Sequence, residues 1–158
     1  MLKGLVVYDS KTGRTEKMAM AISQGMKRAG LDVEAKRVKN VSLSDLIDAD
    51  AIVLGSPTYF ATMSGNMKEF IDKSIDIYPD KLMDKVGAVF TSSGGLGEEM
   101  TLSSLILAML SHRMIIVGHQ TDASFGAISI GEPDKKCIAE CQIFGERIAG
   151  FTKAIAKR

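Results

Sequence analysis

The chain has 158 residues, enough for one domain that removes about 70% of its unfolded surface from water, and its 46% hydrophobic and 25% charged content is that of a globular protein. A formal net charge of +1 argues against nucleic acid or another polyanion as a partner, and against a strongly acidic electron carrier. Two cysteines make no disulfide framework and no metal ligand set, the opening Met-Leu-Lys-Gly lacks the apolar region of a signal peptide, and no apolar run approaches a membrane span, so a cytoplasmic protein without metal is expected.

The first strand is expected over about Leu2 to Tyr8, and a helix follows from about Arg14 to Ala29 with Met18, Ile22, Met26 and Ala29 on one stripe. Gly30 stops it. Leu31 to Val38 reads as a second strand, and its Glu34, Lys36 and Arg37 place it at a sheet edge. Ser42 or Ser44 caps a short helix near Leu43 to Ile47. Ala51 to Leu54, apolar throughout, is a central third strand, and a helix starting near Gly65 buries Met67, Phe70, Ile71 and Ile75. Val86 to Phe90 is the fourth strand; the helix after it opens on Glu98 and Glu99, which suits the helix dipole, and buries Leu102, Leu105, Ile106 and Met109. Met114 to Val117 is the fifth strand, followed by a long connection from Gly118 to Glu132. Pro133 fits the first position of a last helix that buries Cys137, Cys141, Phe144, Ile148, Phe151 and Ile155.

Strands and helices alternate, which implies a parallel sheet covered on both faces. An α/β fold with a doubly wound five-stranded sheet of order 2-1-3-4-5, flavodoxin-like, is expected over residues 1–158 as one domain; a barrel needs about 250 residues. Ligands of such sheets bind beyond the carboxyl ends of the strands. Three polar, glycine-containing loops follow strands one, three and four there.

The first loop, Ser10-Lys11-Thr12-Gly13-Arg14-Thr15, carries three hydroxyls, a glycine and two cations at a helix N-terminus, a place where unpaired N–H groups attract anions. It reads as a cradle for one phosphate. No G-x-G-x-x-G and no G-x-x-x-x-G-K-[ST] occurs, which removes the dinucleotide and nucleoside triphosphate readings. The second loop offers Pro57, Thr58, Tyr59 and Phe60, a stiff start and two aromatics suited to a flat ring. The third, Ser92, Ser93, Gly94, Gly95, Leu96 and Gly97, lets backbone donors approach a planar ligand.

With these segments in hand, nearly the whole chain resembles the flavodoxin superfamily, and within it the WrbA type of FMN-dependent NAD(P)H:quinone oxidoreductases. Ser10 to Thr15 sits where that family binds the FMN phosphate. Ser56-Pro57-Thr58-Tyr59-Phe60, followed by Met63-Ser64-Gly65, is similar to its T-P-T-R-F-x-x-M-S-G segment, Phe90 to Gly95 to its F-S-S-T-G-T-G-G segment, and Phe125-Gly126-Ala127 to its Y-G-A. The resemblance implies FMN as cofactor, NAD(P)H as reductant, a quinone or other small-molecule electron acceptor, and a homo-oligomer (dimer or tetramer). It also implies a histidine near the flavin, for which His112 is the candidate, with Ser111 the alternative at a register one residue away. The family's tryptophan beside the substrate is missing, since the chain has no Trp, and Tyr78 is the candidate to line the substrate pocket instead. The stretch after strand five is shorter than in WrbA proteins. His119, without a partner in sequence, reads as a loop residue.

Two functions fit these residues. One is an oxidoreductase moving electrons from NAD(P)H through FMN to a quinone or similar acceptor. The other is a flavodoxin-type carrier serving a redox protein partner. Carriers tend to keep a glycine in the second loop, and Pro57 to Ala61 has none, which favours two-electron chemistry. A phospho-accepting receiver domain is excluded, because strand three ends in Gly55-Ser56 with no carboxylate.

Overall fold

The computed structural model describes residues 1–157. The elements in order are β1 (Lys3–Tyr8), α1 (Arg14–Arg28), β2 (Asp32–Arg37), α2 (Leu43–Asp48), β3 (Ala51–Pro57), α3 (Gly65–Lys73), β4 (Val86–Ser93), α4 (Glu98–Ser111), β5 (Ile115–Ile116), β6 (Ala127–Ile130) and α5 (Lys135–Ala156). The strands pair in parallel in the order β2-β1-β3-β4-β5, with β6 also on β4. This is the doubly wound order expected, with one addition.

Alternation along the central strands sends side chains to two cores. Val6, Val53, Ala88 and Phe90 pack beneath α1 and α5, with Ile22, Met26, Phe144 and Ile148. Leu5, Val7, Ile52, Leu54 and Val89 pack on the opposite face, with Met67, Leu102, Leu105 and Met109 of α3 and α4. Because β1, β3 and β4 are buried on both faces, their sequences are apolar runs rather than alternating ones. Edge strand β2 keeps one buried side chain, Val33, among its charges.

The fifth strand differs from expectation. Only Ile115 and Ile116 pair with β4, at Val86 and Gly87. The chain then leaves the sheet and returns as β6, so that Phe90 to Ser93 pair with Ala127 to Ile130. The long connection therefore holds the second half of the edge strand, and it brings Gly131 and Glu132 to the end of the sheet where the loops lie. Asp134, not Pro133, starts the last helix: its carboxylate accepts from Cys137 N–H at 2.8 Å, and Pro133 stands one residue earlier. Phe151 of α5 is exposed and is covered by the Arg147 guanidinium, 5.0 Å above its ring. Ile75 is also exposed, since the chain leaves α3 before reaching it. His119 lies in the connection after β5, as expected of a loop residue, and is buried there: its ring meets Phe144 edge-on at 4.8 Å, and Nδ1 lies 2.6 Å from Thr121 Oγ1. No described helix is long and apolar enough to cross a membrane, and the described residues hold no cluster of metal-ligating side chains.

Candidate functional site

Ser10 organises the first loop. Its Oγ accepts from Gly13 N–H at 3.1 Å and from Glu16 N–H at 3.3 Å. Both lone pairs are thus taken, and the hydroxyl proton is left to donate. Its own N–H donates to Asp9 Oδ1 at 3.1 Å. Gly13 is the N-cap of α1, at φ 92, with no side-chain cap, and a Cβ built there would meet nothing within 4 Å. A left-handed glycine without neighbours leaves the helix end open. Lys17 N–H bonds Gly13 O and Glu16 N–H bonds Ser10, whereas the N–H groups of Arg14 and Thr15 have no acceptor among the described residues. A helix N-terminus with a serine poised to donate and two free N–H groups fits a phosphate.

The second loop is held by hydroxyls. Ser56 Oγ accepts from Ser64 N–H at 2.8 Å. Thr58 Oγ1 lies 2.8 Å from both Thr91 Oγ1 and Thr101 Oγ1, and Thr58 N–H donates to Ser92 O at 2.8 Å. Beyond Thr58, Tyr59 and Thr62 exchange backbone bonds of 2.9 and 3.1 Å across a two-residue turn. Its central residues, Phe60 and Ala61, stand at φ 49 and φ 61, the left-handed geometry of a type I′ turn that glycine and asparagine normally occupy. Phe60 at the tip is wholly exposed, 104% of its reference area, so it does not pack under the following helix.

The third loop packs on the second. Gly97, N-cap of α4 at φ 86, lies so close to the turn that a Cβ there would come 2.5 Å from Ala61 Cα. Ser93 accepts from Gly95 N–H at 2.9 Å and donates to the Glu98 carboxylate, while its carbonyl takes Gly131 N–H at 2.8 Å. Thr15 Oγ1 and Ser92 Oγ, 2.8 Å apart and buried, join the first loop to the third.

Between the loops lies an open cleft lined by Lys11, Thr12, Arg14, Thr15, Pro57, Thr58, Tyr59, Ser92, Ser93 and Gly94. Most of the residues singled out in sequence thus meet at one place. Ser10 and Gly13 belong to the same first loop without lining the cleft, and Gly95, Leu96 and Gly97 follow Gly94 along the third loop, with Leu96 exposed. Arg14 is turned toward Glu132, 3.6 Å away, and Lys17 pairs with the same carboxylate, which these cations hold below the usual carboxylate range. Burial, with Asp9 nearby, pushes the Tyr59 phenol up, so it remains a protonated donor.

His112 and Tyr78 are not at this cleft. His112 caps the C-terminus of α4, two residues before Met114, and β5 pairs there with the first residues of β4. The cleft opens at the last residues of β4, about 23 Å away along the strand. A residue that leads into a parallel strand lies at the opposite end of the sheet from the loops that leave it, so the candidate histidine is separated from the cleft of its own chain. Its surroundings are structural. Ser74 O–H donates to Ile71 O at 2.6 Å, so the 2.7 Å bond between Ser74 Oγ and His112 is donated by Nε2–H. Nδ1 is then a buried acceptor without a partner among the described residues, and burial holds the imidazole below its ordinary range. Tyr78 meets the same ring edge-on at 5.8 Å. Ser111, the alternative, bonds Leu107 O at this same end.

Sequence reading passed over Arg37, Glu16 and Glu132, which brace the cleft from β2, α1 and the segment after β6. The available signal for Arg37 was its position: the last residue of β2 pairs with Tyr8, beside the start of the first loop.

A doubly wound parallel sheet with an anion cradle after β1 and two further loops closing a cleft at its carboxyl end defines a flavodoxin-fold protein, whose cofactor is FMN. The family model "NADPH-dependent FMN reductase" matches residues 40–126. A NAD(P)H dehydrogenase (quinone) of Archaeoglobus fulgidus is 33% identical over 94% of this chain and 96% of its own. A flavodoxin of Clostridium saccharobutylicum is 30% identical over 98% of this chain and 99% of its own. Among solved structures, a WrbA-like flavodoxin from Agrobacterium tumefaciens superposes with a TM-score of 0.85 at 28% identity, covering 98% of this chain and 99% of that one. The chain belongs to the flavodoxin-like FMN reductase family.

Proposed function

We propose that this chain is an FMN-dependent oxidoreductase that takes electrons from NAD(P)H and passes them to a quinone or similar small acceptor. The convergence of three loops on one cleft carries this reading. Ser10, Thr12 and the N–H groups of Arg14 and Thr15 hold the phosphate, with Lys11 and Gly13 completing the cradle. Pro57, Thr58 and Tyr59 form one wall for the ring and Ser92 to Gly97 the other, with Phe60 standing over the entrance. FMN supplies, when bound, the chemistry of accepting a hydride from a reduced nicotinamide and returning electrons to an acceptor.

The chain's residues bind, orient and shield. Ser10 donates its one free O–H as a hydrogen bond to the phosphate. The Thr58–Thr91–Thr101 hydroxyls, tied to Ser92 O, fix the second loop against the third and keep the cleft wall from moving. Phe60, Tyr59 and Leu96 offer apolar surface at the mouth, suited to a flat acceptor.

Assembly with further copies belongs to the same reading. From Met100 to Ser111, α4 carries no charge, and Met100, Leu107 and Leu110 face outward uncovered. A cytoplasmic location is part of it too. A second reading, an electron carrier for a protein partner, is favoured by the full exposure of Phe60, which suits docking as well as it suits a substrate.

The test is the visible spectrum of the purified protein under anaerobic titration with NADH or NADPH, followed by a quinone. Rapid bleaching by a nicotinamide and return on adding quinone supports the reductase. Flavin indifferent to both nicotinamides, yet reduced by a redox protein, moves the assignment to the carrier. No flavin bands after adding FMN would overturn the site.

A further inference from the structure

Arg37 sits at the carboxyl end of edge strand β2, opposite Tyr8 in the register with β1. Its guanidinium reaches over the sheet edge into the first loop. Nη1 donates to Ser10 O at 2.7 Å and Nη2 donates to Glu16 Oε2 at 2.7 Å. The other carboxylate oxygen, Glu16 Oε1, accepts from Tyr8 O–H at 2.9 Å, and the guanidinium carbon lies 5.5 Å above the Tyr8 ring. One planar fork thus spans the loop from its first residue to the third residue of α1.

The two atoms it grips belong to residues that already bond each other: Glu16 N–H donates to Ser10 Oγ at 3.3 Å. Arg37 therefore closes a ring around Ser10, whose hydroxyl orientation decides what the cradle can donate. It also solves an electrostatic problem. Glu16 places a carboxylate in the helix turn that receives an anion, where a second negative charge repels. Arg37 neutralises that charge from behind and lets the α1 N-terminus stay attractive.

We infer that Arg37 is a positioning residue for phosphate binding, acting through Ser10 O and Glu16 rather than by touching the cofactor. The inference rests on the reading of the first loop as the phosphate cradle. It makes the selectivity for FMN over riboflavin, which differ only by the phosphate, depend on a residue of β2 outside the three loops.

The experiment titrates the full chain, freed of flavin, with FMN and separately with riboflavin, following flavin fluorescence. Wild type is expected to prefer FMN by well over tenfold. Arg37→Ala weakens FMN by about tenfold while riboflavin stays within about twofold; Glu16→Gln, which removes the repelling charge but keeps a hydrogen-bonding side chain, tightens FMN by about threefold. Arg37→Lys keeps the charge without the fork and falls between wild type and Arg37→Ala. Equal loss for both flavins in Arg37→Ala, or unchanged FMN affinity, overturns the inference and leaves Arg37 a brace of the fold alone. Should Arg37→Ala fail to fold, Arg37→Lys decides: weaker FMN binding with riboflavin kept supports the inference, and equal loss for both flavins or no loss overturns it. A wild type that binds the two flavins equally overturns the cradle reading itself.

Discussion

Thr15 Oγ1 and Ser92 Oγ stand 2.8 Å apart in the buried floor of the cleft, although 77 positions separate them in the chain. The bond joins the first turn of α1 to the last residues of β4, across the central strand β3. Neither hydroxyl has another partner among the described residues, so cutting one strands the other. Thr15→Val or Ser92→Ala should each cost about 1–3 kcal/mol, the toll of a buried hydroxyl left alone. The double variant should cost less than the two added together, because it strands nothing. Urea unfolding of the three variants checks this, and full additivity would show that the bond carries no coupling.

Two glycines of the third loop should respond oppositely to alanine. Gly97 has φ 86, and its added Cβ would stand 2.5 Å from Ala61 Cα, a backbone atom that cannot rotate away. Gly94 has nothing within 4 Å of the same position and no positive φ. Gly97→Ala should lose about 2–4 kcal/mol from strain and clash together and should loosen FMN binding by displacing the Phe60–Ala61 turn. Gly94→Ala should change stability by less than about 1 kcal/mol. Thermal unfolding and flavin titration of the pair separate the two.

The order of the sheet was legible because its strands and helices alternate with clear periods, and because the charges of β2 mark it as an edge. The cleft was legible because residues that follow parallel strands share one end of the sheet, whatever their distance in sequence. The same rule sets His112 apart from that cleft: a residue that precedes a strand lies at the other end of the sheet. The resemblance to a family supplied the residue type without its place. The split edge strand was less visible. Ala127-Ile128-Ser129-Ile130 alternates over only four residues between Gly126 and Gly131, too short to stand out from a loop. Phe60 and Ala61 gave no signal for their turn, since neither residue is typical of left-handed backbone. The backbone bonds between Tyr59 and Thr62, with Gly97 packed close against Ala61, hold it.

That turn leads to a stabilising substitution. Ala61 at φ 61 bears the cost of the left-handed region, about 1–2 kcal/mol for an L residue. Glycine removes it and gives back part through the greater freedom of the unfolded chain. Ala61→Gly should gain about 0.5–1 kcal/mol in urea unfolding. A loss instead would mean that the Ala61 methyl, which packs toward Gly97, contributes more than its backbone costs.

Thr12 lines the cleft beside the free end of α1. Thr12→Glu adds an anion where a phosphate is expected, and FMN affinity should fall by about tenfold or more, with riboflavin far less affected. Unchanged FMN affinity would sink the assignment of the first loop.

The two histidines make stability depend on pH. Burial holds both His112 and His119 below the ordinary value of 6.5, and for His112 no carboxylate opposes this. Near Arg147 and Glu140, His119 feels charges of both signs, with burial the larger influence. Each is a base whose folded form resists protonation, so below about pH 6.5 the unfolded chain binds more protons than the folded one, and stability falls as pH is lowered. The loss begins near 6.5 and levels off once pH passes below the depressed folded values. For His112 the cause is concrete: Nε2–H is committed to Ser74, and a proton on Nδ1 would be a buried charge with no acceptor. The urea midpoint should therefore drop between pH 7.5 and 5.5. His112→Gln, which can keep a hydrogen bond to Ser74 without titrating, should be less stable at pH 7.5 but flatter over that range. A variant as steep as wild type would place the pH dependence on His119 instead.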